Sequence, residues 1–66
     1  MKKILLVEDD AGFRQMLSRL LERRGFAVEA EASGRSGLER ARSSPPDIIV
    51  MDWMLGEKLQ GKIVRR

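Results

Sequence analysis

The 66-residue chain contains no cysteine and no histidine. Without cysteine no disulfide can brace the fold, which fits a reducing compartment such as the cytoplasm. Without either residue, zinc sites built on thiolate or imidazole are excluded, and so is acid–base catalysis by histidine. Long apolar runs are also missing. The longest, Ile4–Val7 and Ile48–Met51, are far below the roughly 20 residues of a membrane-spanning helix. Met1-Lys2-Lys3 has the basic start of a signal peptide, but only four apolar residues follow before three acids, so that reading fails. Repeats, low-complexity segments and linkers are absent, and a chain of this length is one domain at most. Domains of this size bury a modest fraction of their surface and are marginal.

The net charge of +3 is unevenly placed. Up to residue 56 basic and acidic groups balance; the excess lies in the last ten residues, where Lys58, Lys62, Arg65 and Arg66 face only Glu57. No aromatic residue interleaves these basic ones, so they read as a solvated helix face, with no direct nucleic-acid binding expected from the segment.

What the chain does have is two short, branched, apolar runs that each deliver acids. Ile4-Leu5-Leu6-Val7 is followed by Glu8, Asp9 and Asp10; Ile48-Ile49-Val50-Met51 is followed by Asp52. Both read as buried strands, near 2–8 and 47–53. Between them, Phe13, Met16, Leu17, Leu20 and Leu21 recur at helical spacing, with Asp10 at the N-cap position and Gly25 at C′. A helix over 11–24 follows, with Phe13, Met16 and Leu20 as core residues. Residues 26–32 alternate, Val28, Ala30 and Ala32 on one side, Glu29 and Glu31 on an outer face that blunts a sheet edge. Ser33 or Ser36 can cap a second helix over about 35–43, with Leu38 and Ala41 facing in, and Pro45-Pro46 ends it. Ile63-Val64 begins another helix in this reading.

Strand, helix, strand, helix, strand implies right-handed crossovers and a parallel sheet in the order 2-1-3. Ligands of such sheets bind beyond the carboxyl ends of the strands, where Glu8, Asp9 and Asp52 are expected to converge. Clustered carboxylates repel, so they need a cation or raised pKa values to persist. Magnesium takes a few carboxylates and keeps several waters, and a backbone carbonyl near Met54 can add a ligand. A strand-end aspartate beside such a cation can attack phosphorus and form an acyl phosphate.

Lys3-Ile4-Leu5-Leu6-Val7-Glu8-Asp9-Asp10 resembles the opening strand of bacterial response-regulator receiver domains. Pro45-Pro46-Asp47-Ile48-Ile49-Val50-Met51-Asp52-Trp53-Met54-Leu55 resembles their third strand and phosphoacceptor loop. The two blocks stand in the right order at the right separation, and the resemblance covers residues 2–55. It implies a flavodoxin-like α/β fold with the full strand order 2-1-3-4-5. It further implies that Asp52 accepts phosphate from a sensor histidine kinase. Glu8 and Asp9, with Asp52 and the Met54 carbonyl, would hold Mg2+, while Asp10 caps the first helix. Such a chain is a signalling module of a two-component phosphorelay rather than an enzyme.

The sequence also departs from the family. Gly56 stands near the place of a usual proline, and Leu59-Gln60-Gly61 replaces an Asp-Gly pair. The chain stops at Arg66, before the family's fourth and fifth strands, so 1–66 reads as a truncated receiver. The family's phosphoryl-binding lysine and Ser/Thr have no counterpart; Lys58 and Lys62 lie in the wrong segment. Weak magnesium binding and inefficient phosphorylation are therefore expected. The alternative is a truncated or engineered half-domain that mainly self-associates. The uncharged Ile48–Met51 edge and the outer side of helix 11–24 would then be covered by a second copy, giving a homo-oligomer.

Overall fold

β1, Lys3–Val7, carries the first apolar run and forms the centre of a three-stranded sheet in the computed structural model, which describes residues 1–51. β2, Ala27–Glu31, lies on one side and β3, Ile48–Met51, on the other, both parallel to β1. The order is β2-β1-β3. Ile4 registers with Val28 and Ile48; Val7 registers with Glu31 and Met51. Being flanked on both sides, β1 supplies the buried apolar core among the described residues: Ile4, Leu5, Leu6 and Val7, each at most 2% exposed. A continuous apolar run with no polar alternation is what a strand covered on both faces requires.

α1, Ala11–Arg23, starts at Asp10, whose side chain accepts from Phe13 N. It ends in a Schellman turn: Gly25 sits at φ +94°, its N–H donates to Glu22 O, and Phe26 N–H donates to Leu21 O. That turn claims Phe26, so β2 starts one residue later than the alternation predicts. α2, Gly34–Ser43, is capped by Ser33, whose Oγ accepts from Ser36 N. Its last turn is closed by Ser44 N donating to Arg40 O, and the two prolines follow. β3 is then tied to β1 by Asp47, whose N–H donates to Lys3 O and whose carboxylate accepts from Lys3 N. Among the described residues no helix is long and apolar enough to cross a membrane.

Three expectations about faces are overturned. Leu38 is 54% exposed, and the buried position on α2 is Gly37. A Cβ at Gly37 would lie 2.7 Å from Val7 Cγ2, so α2 seats its backbone, with Ala41, directly on Leu5 and Val7. A glycine–alanine face lets the helix come closer than a leucine face would, and Leu38, one residue on, is turned away. Phe13, Met16 and Leu20 are 43%, 56% and 42% exposed, not core. Leu17 and Leu21, offset around the helix, are the half-buried apolar pair of α1. Finally, Glu29 and Glu31 do not form an outer solvent face. They register with Leu5 and Val7 and so share the face that α2 covers. Arg40 of α2 supplies their countercharge, with Nη2 2.8 Å from Glu31 Oε2 and Nη1 4.0 Å from Glu29 Oε2.

Candidate functional site

The acid turn after β1 is held by both backbone and side-chain contacts. Glu8 N–H donates to Glu31 O at 3.0 Å, which carries the β1–β2 ladder one residue past the strand. The chain then leaves the sheet. Arg14 reaches back from the first turns of α1 and donates from Nη1 to the Glu8 carbonyl at 2.8 Å. A buried backbone carbonyl left unmatched costs about 1–3 kcal/mol, so this contact matters locally. The Glu8 side chain is 5% exposed, and its Oε2 accepts from Asp10 N at 3.0 Å. Asp9 is exposed.

Asp10 stands apart from the other two acids in its work. Its Oδ2 accepts from Phe13 N at 3.0 Å and its carbonyl accepts the first helical hydrogen bond, from Arg14 N. The capping role read from the sequence is thus the observed one, and it leaves Glu8 and Asp9 as the described acids of the turn.

The partner strand arrives in register. Met51, the residue before Asp52, pairs with Val7, the residue before Glu8. Asp52, Trp53 and Met54 lie outside the described residues, as do Gly56, residues 59–61 and the helix expected at Ile63-Val64. Among the described residues no three acids come together to hold a metal.

Two contributors to the turn carry no sequence motif. One is the Glu31 carbonyl, which any residue would offer. The other is Arg14. Its only signal is a charge of the wrong sign: a cation near a helix N-terminus opposes the helix dipole, which suggests a contact elsewhere.

A family model described as the response regulator receiver domain matches residues 4–64. The chain belongs to that family. The acid turn after β1 and the strand before Asp52 are therefore parts of a receiver. Its relatives include the acid tolerance regulatory protein ActR of Sinorhizobium medicae, 43% identical over 56 residues, covering 85% of this chain and 29% of ActR. The transcriptional regulatory protein CseB of Streptomyces coelicolor is 50% identical over 52 residues, covering 79% and 22% of the two chains. The alkaline phosphatase synthesis transcriptional regulatory protein PhoP of Bacillus subtilis is 42% identical over 60 residues, covering 91% and 25%. The receiver chain thus spans less than a third of the length of these relatives. A solved structure, a fusion that carries the yeast Spc42 trimeric coiled coil, superposes with a TM-score of 0.77 at 36% identity. That match covers 83% of this chain and 38% of the fusion. The parallel 2-1-3 sheet with its two helices is the corresponding part of the flavodoxin-like receiver fold.

Proposed function

We propose that this receiver chain accepts phosphate on Asp52 from a sensor histidine kinase, with Mg2+ held by Glu8, Asp9, Asp52 and the Met54 carbonyl. The observation that carries the reading is the β1–β3 register, which runs to Val7 and Met51, the residues just before Glu8 and Asp52. Glu8 and Asp9 fit magnesium by donor chemistry, since both offer hard carboxylate oxygens. Bound magnesium would neutralise charge on the phosphoryl oxygens.

In this reading an Asp52 carboxylate oxygen attacks the phosphorus of a phosphohistidine. The new acyl phosphate P–O bond forms as the P–N bond breaks, and the leaving ring nitrogen takes one proton from solvent to depart as neutral imidazole. Glu8 and Asp9 do not react; they hold the cation. Asp10 keeps α1 capped and so fixes the path of the turn. Residues 1–66 act as one receiver unit, in the cytoplasm, without membrane contact. The test is phosphotransfer from a labelled kinase or a small phosphodonor in magnesium. An alkali-labile label that disappears in Asp52→Asn supports the reading; a label of equal strength in Asp52→Asn overturns it.

A second reading, self-association of the chain, is favoured by one observation. Phe13, Met16 and Leu20 form an exposed apolar stripe along α1. Each such side chain contributes about 1.5–3 kcal/mol when fully buried. Sedimentation combined with thermal melting across about a hundredfold dilution tests it, because the melting point of a self-associating chain rises with concentration. A melting point that does not move removes this reading.

A further inference from the structure

Arg14 is a cation that touches the acid turn. It is half-buried, and its Nη1 sits 2.8 Å from the Glu8 carbonyl oxygen. The peptide groups on the two sides of the Glu8 Cα are therefore both anchored. Glu31 O takes the N–H at 3.0 Å, and Arg14 takes the carbonyl. Two residues along the chain, Asp10 N is turned onto Glu8 Oε2. The peptide between Glu8 and Asp9 carries the carbonyl that Arg14 holds, so this contact bears on where the Asp9 Cα stands relative to Glu8.

We propose that Arg14 is a positioning residue for the Glu8–Asp9 pair, orienting it for a divalent cation through the Glu8 carbonyl. The inference rests on the magnesium reading above. It has a sign that separates it from simple electrostatics. Arg14 is a positive charge beside a cation site, so by Coulomb repulsion its removal should tighten magnesium binding, most visibly at low salt. As a positioning group its removal weakens binding at every salt concentration, because the donor oxygens lose their fixed separation. Outer-shell partners that orient ligands typically change metal affinity about 10–100-fold when mutated.

The test compares the wild-type protein with Arg14→Met, which keeps the apolar stem and removes the guanidinium. Arg14→Gln, whose amide falls short of the carbonyl, serves where Arg14→Met does not fold. Magnesium affinity is measured by calorimetry at low and high salt. Amide hydrogen exchange at Asp10 is measured without metal. The expected result is an affinity lowered about tenfold at both salt concentrations, with faster exchange at Asp10 in the metal-free protein. Affinity equal to or tighter than wild type overturns the inference. So does unchanged Asp10 exchange. Glu8→Gln and Asp9→Asn serve as controls on the underlying reading. If those two leave magnesium affinity unchanged, the site reading fails, and the metal-free exchange alone still decides whether Arg14 orders the turn.

Discussion

Two pairs of carboxylates in this receiver are joined by a single hydrogen bond, from Glu8 N to Glu31 O, and an arginine attends each pair. Arg40 grips the Glu31 carboxylate directly, through Nε at 2.9 Å and Nη2 at 2.8 Å, and stands 4.0 Å from Glu29. Arg14 instead touches the Glu8 backbone, at the carbonyl. The difference lies in what each arginine holds, a carboxylate at one pair and a backbone carbonyl at the other. An arginine forked on a carboxylate neutralises it and ties two elements together. An arginine on a neighbouring carbonyl contacts the backbone of the turn, and its hydrogen bond is not to a carboxylate. Acid content alone would rank the two pairs alike.

The comparison can be broken most forcefully from α2. Gly37→Val places new methyl groups where Val7 Cγ2 already lies 2.7 Å from an added Cβ. Overpacking of this kind costs about 2–3 kcal/mol, read from urea denaturation midpoints. Because α2 carries Arg40, the Glu29–Glu31 clamp should loosen with it.

The next effect sharpens the contrast. Glu8→Gln combined with Asp9→Asn should lower magnesium affinity at least about tenfold, while Glu29→Gln combined with Glu31→Gln leaves it unchanged. Calorimetric titration of both double variants checks this, and equal losses would erase the distinction drawn here.

A smaller effect is expected at the clamp itself. Arg40→Met leaves the Glu31 carboxylate, 17% exposed, without its countercharge. Arg40 is 44% exposed, so solvent screening limits the loss to about 1 kcal/mol. High salt should shrink the difference from wild type, and magnesium affinity should not move. Met16→Gln is the mildest change. Its side is 56% exposed, so monomer stability shifts by less than about 0.5 kcal/mol. If the α1 stripe is a contact between copies, sedimentation will show the association weakened all the same.

The two helices show why some of this was legible beforehand and some was not. The N-cap at Asp10 and the C′ glycine at residue 25 could be read, and the cap of α2 narrowed to Ser33 or Ser36, because a cap is a local hydrogen-bonding problem with few residue solutions. The side of each helix that meets the sheet was misread. α1 has five large apolar residues at helical spacing, yet it leaves Phe13, Met16 and Leu20 exposed and half-buries Leu17 and Leu21. α2 has one leucine and exposes it, while Gly37 is fully buried. Periodicity reports where apolar side chains lie around a helix. It does not report how closely the backbone approaches, and a glycine facing Val7 outweighed the leucine beside it.

The element order, the parallel 2-1-3 sheet, the caps and the acids at the end of β1 were all determined by the sequence alone. Each follows from local patterning: apolar run length, turn chemistry and the crossover rule. The alternation of Glu29 and Glu31 was equally visible, but not their surroundings. Only the tertiary structure decided that their face is the one under α2 and that Arg40, nine residues after Glu31, closes on them. Only the tertiary structure chose Arg14 to hold the Glu8 carbonyl. The physical reason is common to both cases. Strand periodicity assigns a residue to a face, but which face is covered, and by which side chain, depends on register and on the distance of closest approach between elements far apart in the chain.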